Sequence, residues 1–171
     1  MSQHKRIFIV GHMGAGKSVV ANLLASKLGW QLLDVDFGLE HRMGRPSDEI
    51  LGKVGEELFR RHEAEVLSQL LNREQIIVIT DGGVIRSEKN RKLLSAEFTI
   101  YLKVSTPVQL ERMAKSPFTL TSDSAASKAL LDKFHLERDA LYASIAKLTI
   151  DTDATTNAEH DVEKILKEFK A

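Results

Sequence analysis

A glycine-rich segment near the N-terminus carries the most specific chemical signal in this chain of 171 residues. Residues 11–18, which read GHMGAGKS, match the pattern G-x-x-x-x-G-K-[ST] at every fixed position. An apolar run at 7–10 precedes them and a helical pattern follows, as a phosphate-binding loop requires. In such a loop backbone amides and the helix N-terminus attract polyphosphate, Lys17 reaches the terminal phosphates and Ser18 ligates magnesium. The sequence therefore predicts a nucleoside triphosphate site, with an ordinary glycine-rich turn as the alternative.

Two carboxylates stand at the end of the second predicted strand. Asp34 and Asp36 are two residues apart, so on a strand they point to the same side. The carboxyl ends of strands are where open α/β sheets bind ligands. One aspartate can hold magnesium through water while the other accepts a hydrogen bond from a substrate hydroxyl. A polar strand end or a helix cap is the alternative interpretation.

An arginine flanked by acids follows in the segment 55–63. On a helix Arg60 lies one turn from both Glu56 and Glu63, so the two acids can brace its guanidinium. A braced guanidinium suits bidentate recognition of a carboxylate or a phosphate. Taken alone, a solvated charged helix face is the better interpretation of the pattern.

Two further segments have weaker signals. Gly82 and Gly83 follow the apolar run 76–80, and such a turn lets the backbone approach a ligand closely. Residues 115–124 lack periodicity and are rich in serine, threonine and proline. In a phosphate-transfer protein they suit a lid that expels water on closure, with a solvated connection as the alternative.

Short apolar runs alternate with helical patterns along the whole chain, which predicts a parallel sheet covered by helices on both faces. The strand candidates are 7–10, 31–34, 76–80, 99–104 and 148–151. The helix candidates are 17–28, 47–52, 55–71, 87–94, 107–113, 126–146 and 159–170. No repeat or linker divides the chain, so we expect a single domain over 1–171.

The amino-acid composition limits the classes of partner and the compartment that we expect for this protein. The 24 basic and 24 acidic residues cancel, which gives no reason to expect nucleic acid or a membrane surface. The chain has no cysteine, no signal-peptide pattern and no apolar stretch of membrane-spanning length, so we expect a cytoplasmic protein. The histidines show no metal-ligand spacing and are interpreted as surface or packing residues: His4, His12, His41, His62, His135 and His160.

Together these motifs resemble the shikimate kinases, small P-loop kinases related to nucleoside monophosphate kinases. The resemblance covers nearly the whole chain and rests on five motifs: the loop 11–18, D-x-D at 34–36, G-E-x-x-F-R-x-x-E at 55–63, the glycine turn at 81–83, and Arg138-x-x-x-Tyr142. It implies a three-layer α/β P-loop kinase fold with a five-stranded parallel sheet in order 2-3-1-4-5. It also implies a substrate-binding region at about 34–62 and a lid at about 113–126.

The resemblance implies phosphorylation of the 3-hydroxyl of shikimate by ATP with Mg²⁺, in the pathway to aromatic amino acids, by a monomer. Lys17 and Asp36 would be catalytic, and Ser18 and Asp34 would hold the metal. The residues that would bind the nucleotide are Gly14, Ala15, Gly16, Lys17, Ser18, Val19 and, on the adenine, Arg112. The residues that would bind the acceptor are Asp36, Arg60, Gly82, Gly83 and Arg138.

The chain departs from the family pattern at two places. Asp81 replaces the first of three glycines, where its carboxylate either repels an anionic acceptor or points toward magnesium. Ser116 stands where the family's lid has an arginine, so one positive charge at the transferring phosphate is lost. Three outcomes remain open: a slow shikimate kinase, a kinase of another small anionic metabolite, and a nucleotide-binding protein with little or no turnover.

Overall fold

The computed structural model describes residues 4–115, 124–154 and 157–170. Its described part contains five strands, all paired in parallel in the order β2-β3-β1-β4-β5. They are β1 (Arg6–Val10), β2 (Gln31–Asp34), β3 (Ile76–Ile79), β4 (Phe98–Lys103) and β5 (Leu148–Asp151). The predicted sheet and its strand order are confirmed.

Helices connect successive strands and cover both faces of the sheet. They are α1 (Lys17–Leu28), α2 (Leu39–Met43), α3 (Ser47–Leu70), α4 (Glu88–Ala96), α5 (Thr106–Ala114), α6 (Ser124–Ile145) and α7 (Ala158–Lys170). A 3-10 helix, Gly82–Arg86, follows β3. None of the described helices is both long and apolar enough to cross a membrane.

The helical region after β2 differs from the prediction. The two helices expected at 47–52 and 55–71 form the single element α3, which kinks at Gly52 (φ 74°, ψ 168°). The short helix α2 was not predicted, because its five residues are too few to show a period. Most of the expected lid, with Ser116, falls on 116–123, outside the described residues.

Alternation along the strands divides the core into two layers. In β1, Ile7 and Ile9 pack toward α1 and α7, whereas Phe8 and Val10 pack toward α3, α4 and α6. These four side chains are fully buried. Burial of such a side chain contributes about 1.5–3 kcal/mol, so the central strand is a rigid support for the loop that follows it.

The register brings three functional segments to one edge of the sheet. Ile79 at the end of β3 pairs with Ile9 of β1 and with Asp34 of β2. The strands therefore end at the same level, and the chain leaving each one enters the same space. The glycine-rich loop, Asp34 with Asp36, and the turn at 81–83 meet there.

Candidate active site

The glycine-rich loop wraps closely around its own lysine. Gly14 and Gly16 adopt left-handed φ angles of 77° and 89°, and a Cβ at Gly11 would lie 2.6 Å from the carbonyl oxygen of Leu102. The ammonium of Lys17 donates to the carbonyl of Gly11 at 2.6 Å. The backbone thus needs glycine at Gly11, Gly14 and Gly16, and the side chain of Lys17 folds back onto the first residue of its own loop.

A cavity of about 590 Å³ opens in front of this loop. Asp36 lies on its wall, with Oδ2 3.8 Å from the ammonium of Lys17. Burial raises the pKa of Asp36, and the carboxylate of Asp81 adds to the rise while Lys17 opposes it. A carboxylate with a raised pKa, placed beside the loop lysine, is suited to accept a proton from a hydroxyl group.

Asp34 lines the same cavity. Its Oδ1 accepts from the backbone amide of Asp36 at 2.9 Å, which holds the turn between the two carboxylates. Ser18 lines the cavity as well. A hydroxyl, a carboxylate and the oxygens of a bound phosphate form the oxygen donor set that Mg²⁺ prefers, so these residues fit the predicted metal.

Arg60 is held by three carboxylates. Its guanidinium donates to Glu56 at 3.0 Å and to Glu63 at 3.1 Å, as the helical spacing predicts. It also donates to Asp81 at 2.7 Å, a contact that helical spacing does not predict because Asp81 lies outside α3. All four side chains are buried. Burial raises the pKa of Glu63 to about 7 in spite of Arg60, and the nearby carboxylate of Asp81 adds to the rise.

The contact between Asp81 and Arg60 shows where the carboxylate of Asp81 points, which the sequence left open. Asp81 caps the 3-10 helix by accepting from the amide of Gly83 at 3.1 Å, and this turns its carboxylate onto Arg60. Although burial opposes the charged form, ion pairing with Arg60 lowers the pKa of Asp81. A Cβ at Gly83 would overlap the same guanidinium, with Arg60 Cζ only 2.9 Å away. Glycine is therefore required at 83 for this pairing.

Arg138, the second predicted acceptor-binding arginine, also has a carboxylate partner. Its two terminal nitrogens donate to the two oxygens of Glu40 at 2.9 and 2.8 Å, and its guanidinium lies over the ring of Phe134, 3.9 Å from the centroid. Arg138 Nη1 would be 3.4 Å from a Cβ at Gly82. The fold thus brings Arg138 and Gly82 together as predicted, whereas the role of Glu40 was missed.

Arg112 lies at the predicted nucleotide side, away from the two aspartates. It donates to the carbonyl of Gly14 at 3.1 Å and to the hydroxyl and carbonyl of Thr152 at 3.1 and 3.0 Å. It lines a second cavity of about 410 Å³, together with Val19. The residue therefore joins the loop to the segment after β5, where its assignment to adenine stays a prediction.

A cluster with two histidines was not predicted, because its members are far apart in the chain. His12 in the loop lies 2.5 Å from a carboxylate oxygen of Asp139, and His135 lies 2.9 Å from the same carboxylate. His12 is buried, and burial lowers its pKa to about 4 although Asp139 opposes the shift. The interpretation of the histidines as surface or packing residues is therefore incomplete for His12 and His135, because the two share one carboxylate in a group whose ligand atoms lie within 4.8 Å of one another. The spacing His135-x-x-x-Asp139 was the available signal.

The sheet order and the loop after β1 define a P-loop kinase fold. A family model described as shikimate kinase matches residues 13–170. The chain is 33% identical to the shikimate kinase of Xanthomonas axonopodis pv. citri, with 98% of this chain and 93% of that protein covered. The chain belongs to the shikimate kinase family, as the motifs predicted. Membership confirms the expected class, a phosphotransferase that acts on a hydroxyl group and uses ATP and Mg²⁺.

Solved structures agree with this assignment. The shikimate kinase from Acinetobacter baumannii in complex with shikimate is 32% identical, with a TM-score of 0.77 over 97% of this chain and 93% of that one. The shikimate kinase from Bacteroides thetaiotaomicron has a TM-score of 0.81 over 98% and 99% of the two chains, at 22% identity, and supports the fold alone.

Proposed function

We propose that this protein transfers the terminal phosphoryl group of ATP to the 3-hydroxyl of shikimate. The observation that carries the proposal is that Lys17 and Asp36 line one cavity in a member of this family. Two buried arginines lie against the same wall of that cavity, Arg60 on Asp81 and Arg138 beside Gly82. The relative from Acinetobacter baumannii was solved with shikimate, which supports the choice of acceptor.

On the nucleotide side, the loop amides at 14–19 and the ammonium of Lys17 bind the phosphates and neutralise charge that develops during transfer. Ser18 and Asp34 would hold the magnesium ion, which when bound supplies charge neutralisation at the phosphates. Arg112, which donates to the carbonyl of Gly14, would contact the adenine.

On the acceptor side, Asp36 accepts a hydrogen bond from the reacting hydroxyl, orients it and takes its proton. Arg60 and Arg138 bind the acceptor's carboxylate, and the backbone of Gly82 and Gly83 allows the ring to come close. The carboxylates that pair with these two arginines within the protein must then release some of the hydrogen bonds that they accept from each guanidinium. Binding of the acceptor is an exchange of carboxylate partners rather than the filling of an unpaired cationic site.

The direct test is ADP release from purified protein with MgATP, with and without shikimate, coupled to a spectroscopic readout. We expect release that depends on shikimate and that is lost in Lys17→Ala, which reports any contaminating kinase. Equal release with and without shikimate, at high protein concentration, would overturn the proposal.

A second function is favoured by one observation. Asp81 already neutralises Arg60 at 2.7 Å, which lowers the affinity for any acceptor carboxylate. A nucleotide-binding protein with little or no turnover accommodates this contact better, and so does a kinase of another small anionic metabolite whose anion does not use Arg60. Calorimetry separates the possibilities: ATP binding without shikimate binding supports the first of these, and a screen of small acids by ATP consumption tests the second.

The remaining proposals concern the oligomeric state, the compartment and the partners of the protein. We infer a monomer that acts in the cytoplasm on a small molecule, without nucleic acid or membrane partners. The balance of 24 basic against 24 acidic residues supports the inference that neither nucleic acid nor a membrane is a partner. Sedimentation of the purified protein tests the monomer.

A further inference from the structure

Two imidazoles and a carboxylate converge beside the glycine-rich loop, apart from the residues proposed for transfer. His12 comes from the loop after β1, and His135 and Asp139 are one turn apart on α6, so both face the loop. One ligand atom from each lies within 4.8 Å of the other two. The imidazole rings are 4.0 Å apart between centroids.

The hydrogen bonds of Gln109 determine which nitrogen of His135 carries a hydrogen. The side-chain amide nitrogen of Gln109 donates to the carbonyl of Met13 at 2.8 Å. Its oxygen therefore faces Nε2 of His135, 2.6 Å away, and must accept from it. Reversing the amide would set two carbonyl oxygens against each other, so Nε2 of His135 bears the hydrogen.

This tautomer leaves the lone pair of His135 Nδ1 pointing at a carboxylate. Nδ1 lies 2.9 Å from each oxygen of Asp139, and one of those oxygens is 2.5 Å from Nε2 of His12. Two acceptors at this distance repel each other unless a cation lies between them. An additional proton serves this purpose, and so does a metal ion.

We propose that His12, His135 and Asp139 form a binding site for a divalent transition-metal ion, with Zn²⁺ as the preferred occupant. Two imidazole nitrogens and a carboxylate are three of the four ligands of a tetrahedral zinc site, with water as the fourth. Nitrogen ligands select Zn²⁺, Ni²⁺ or Cu²⁺ over Mg²⁺, which prefers oxygen. The site is therefore chemically distinct from the magnesium site proposed at Ser18 and Asp34.

The surroundings match those of a metal site. Gln109 holds the outer nitrogen of His135, and metal-binding histidines are usually oriented by such a contact. The hydroxyl of Tyr101 is 3.3 Å from Asp139 and orients that carboxylate in the same way. Metal–ligand bonds of about 2.0–2.2 Å place tetrahedral ligand atoms roughly 3.4 Å apart. The pair His135–Asp139, now 2.9 Å apart, needs to open by about half an ångström, and the pair His12–Asp139, now 2.5 Å apart, by nearly one ångström. The side chain of Asp139 is 41% exposed, which gives an ion access from solvent.

An ion at this position joins the loop to α6. His12 lies between the first glycine of the loop and the residues that bind phosphate, and its carbonyl accepts from the amide of Ala15 at 3.2 Å. A metal bond to its ring fixes the loop against α6 without touching Lys17. The proposal stands independently of the acceptor, and its test requires no turnover.

The experiment uses purified, tag-free, nucleotide-free protein. We expect calorimetry to show a single Zn²⁺ per chain, with millimolar Mg²⁺ failing to displace it. Co²⁺ in place of Zn²⁺ should give the intense visible spectrum of a tetrahedral ion. His135→Ala and Asp139→Asn should each weaken Zn²⁺ binding by more than about tenfold, and Gln109→Ala by about 10–100-fold, because it removes the contact that orients His135.

Two variants serve as matched controls. His62→Ala removes an exposed histidine on α3, and Asp34→Asn removes the carboxylate proposed for magnesium; both should bind Zn²⁺ like the wild type. Thermal unfolding of each variant without metal establishes that it folds. The proposal is overturned if wild-type protein binds no Zn²⁺, if Co²⁺ gives only an octahedral spectrum, or if folded His135→Ala and Asp139→Asn keep the wild-type affinity.

Discussion

Asp81 Oδ2 lies 2.7 Å from Arg60 Nη1, so the protein itself supplies a carboxylate to a guanidinium that the family resemblance assigns to the acceptor. Because Asp81 is tethered next to Arg60, its effective concentration there exceeds that of a dissolved acid. Shikimate must compete with it, and the cost appears in affinity for the acceptor rather than for ATP.

Removal of this competitor should improve acceptor binding. A charge-assisted hydrogen bond contributes about 1.5–3 kcal/mol, so we expect Asp81→Gly to lower the KM for shikimate by about tenfold to hundredfold. The KM for ATP should change little. Asp81→Asn is the matched variant, since it keeps the size and removes the charge, and it should give part of the same gain. Steady-state ADP release measures both constants, and an unchanged KM for shikimate in the two variants would contradict this account.

The pair between Glu40 and Arg138 should carry much more stability than its surface counterparts. Glu40→Ala leaves a buried guanidinium without its bidentate partner, for which we expect a loss of about 3–5 kcal/mol in the free energy of unfolding. The control is Glu88→Ala, which removes an exposed partner of Lys92 on α4 and should cost less than about 1 kcal/mol. Urea denaturation measures both, and equal losses would show that the buried pair has no special role.

Glu63 should make stability depend on pH. Its pKa is about 7 in the folded protein and 4.5 ordinarily, so the native state binds more protons than the unfolded state between these values. The contribution of Glu63 is therefore complete below about pH 4.5 and is lost as the pH rises through 7. Relative to wild type, Glu63→Gln should gain stability across this interval, by an amount on the order of 3 kcal/mol. Urea denaturation at several pH values tests this, and a constant difference would refute it.

Asp36 should act as the proton acceptor. Asp36→Asn should lower kcat by about 10²–10⁴, with ATP binding by calorimetry near the wild-type value. Because burial raises the pKa of Asp36, the wild-type rate should fall as the pH drops through that raised value, where the carboxylate becomes protonated. Glu65→Gln, which changes an exposed carboxylate on α3, is the control and should keep the full rate. A wild-type kcat in the Asp36→Asn variant would remove this carboxylate from the mechanism.

Sequence reasoning worked best where the cause of a structure is local. The bracing of Arg60 by Glu56 and Glu63 followed from helical spacing, because residues three and four apart share a helix face. The loop at 11–18 was predicted from backbone demands that glycine alone meets. The strand order came from the family resemblance, since apolar runs give the strands but not their sequence across the sheet.

Contacts between segments that are distant in the chain could not be predicted from local sequence patterns. Glu40 and Arg138 are 98 positions apart, and nothing in either local pattern indicates the other. The direction of Asp81 depends on the capping of the 3-10 helix, which sets its carboxylate toward α3 rather than toward the loop. His12 joins His135 and Asp139 only because α6 packs against the loop. Each of these contacts is decided by tertiary packing.

Arg138 and Asp139 are consecutive residues of one helix, yet the first faces the proposed acceptor site and the second contacts the loop through His12. A shift of α6 that relaxes either contact must strain or relax the other. If binding at one site moves α6, the contacts at the other site change with it, and thermodynamic linkage then requires the reverse influence to be equally strong.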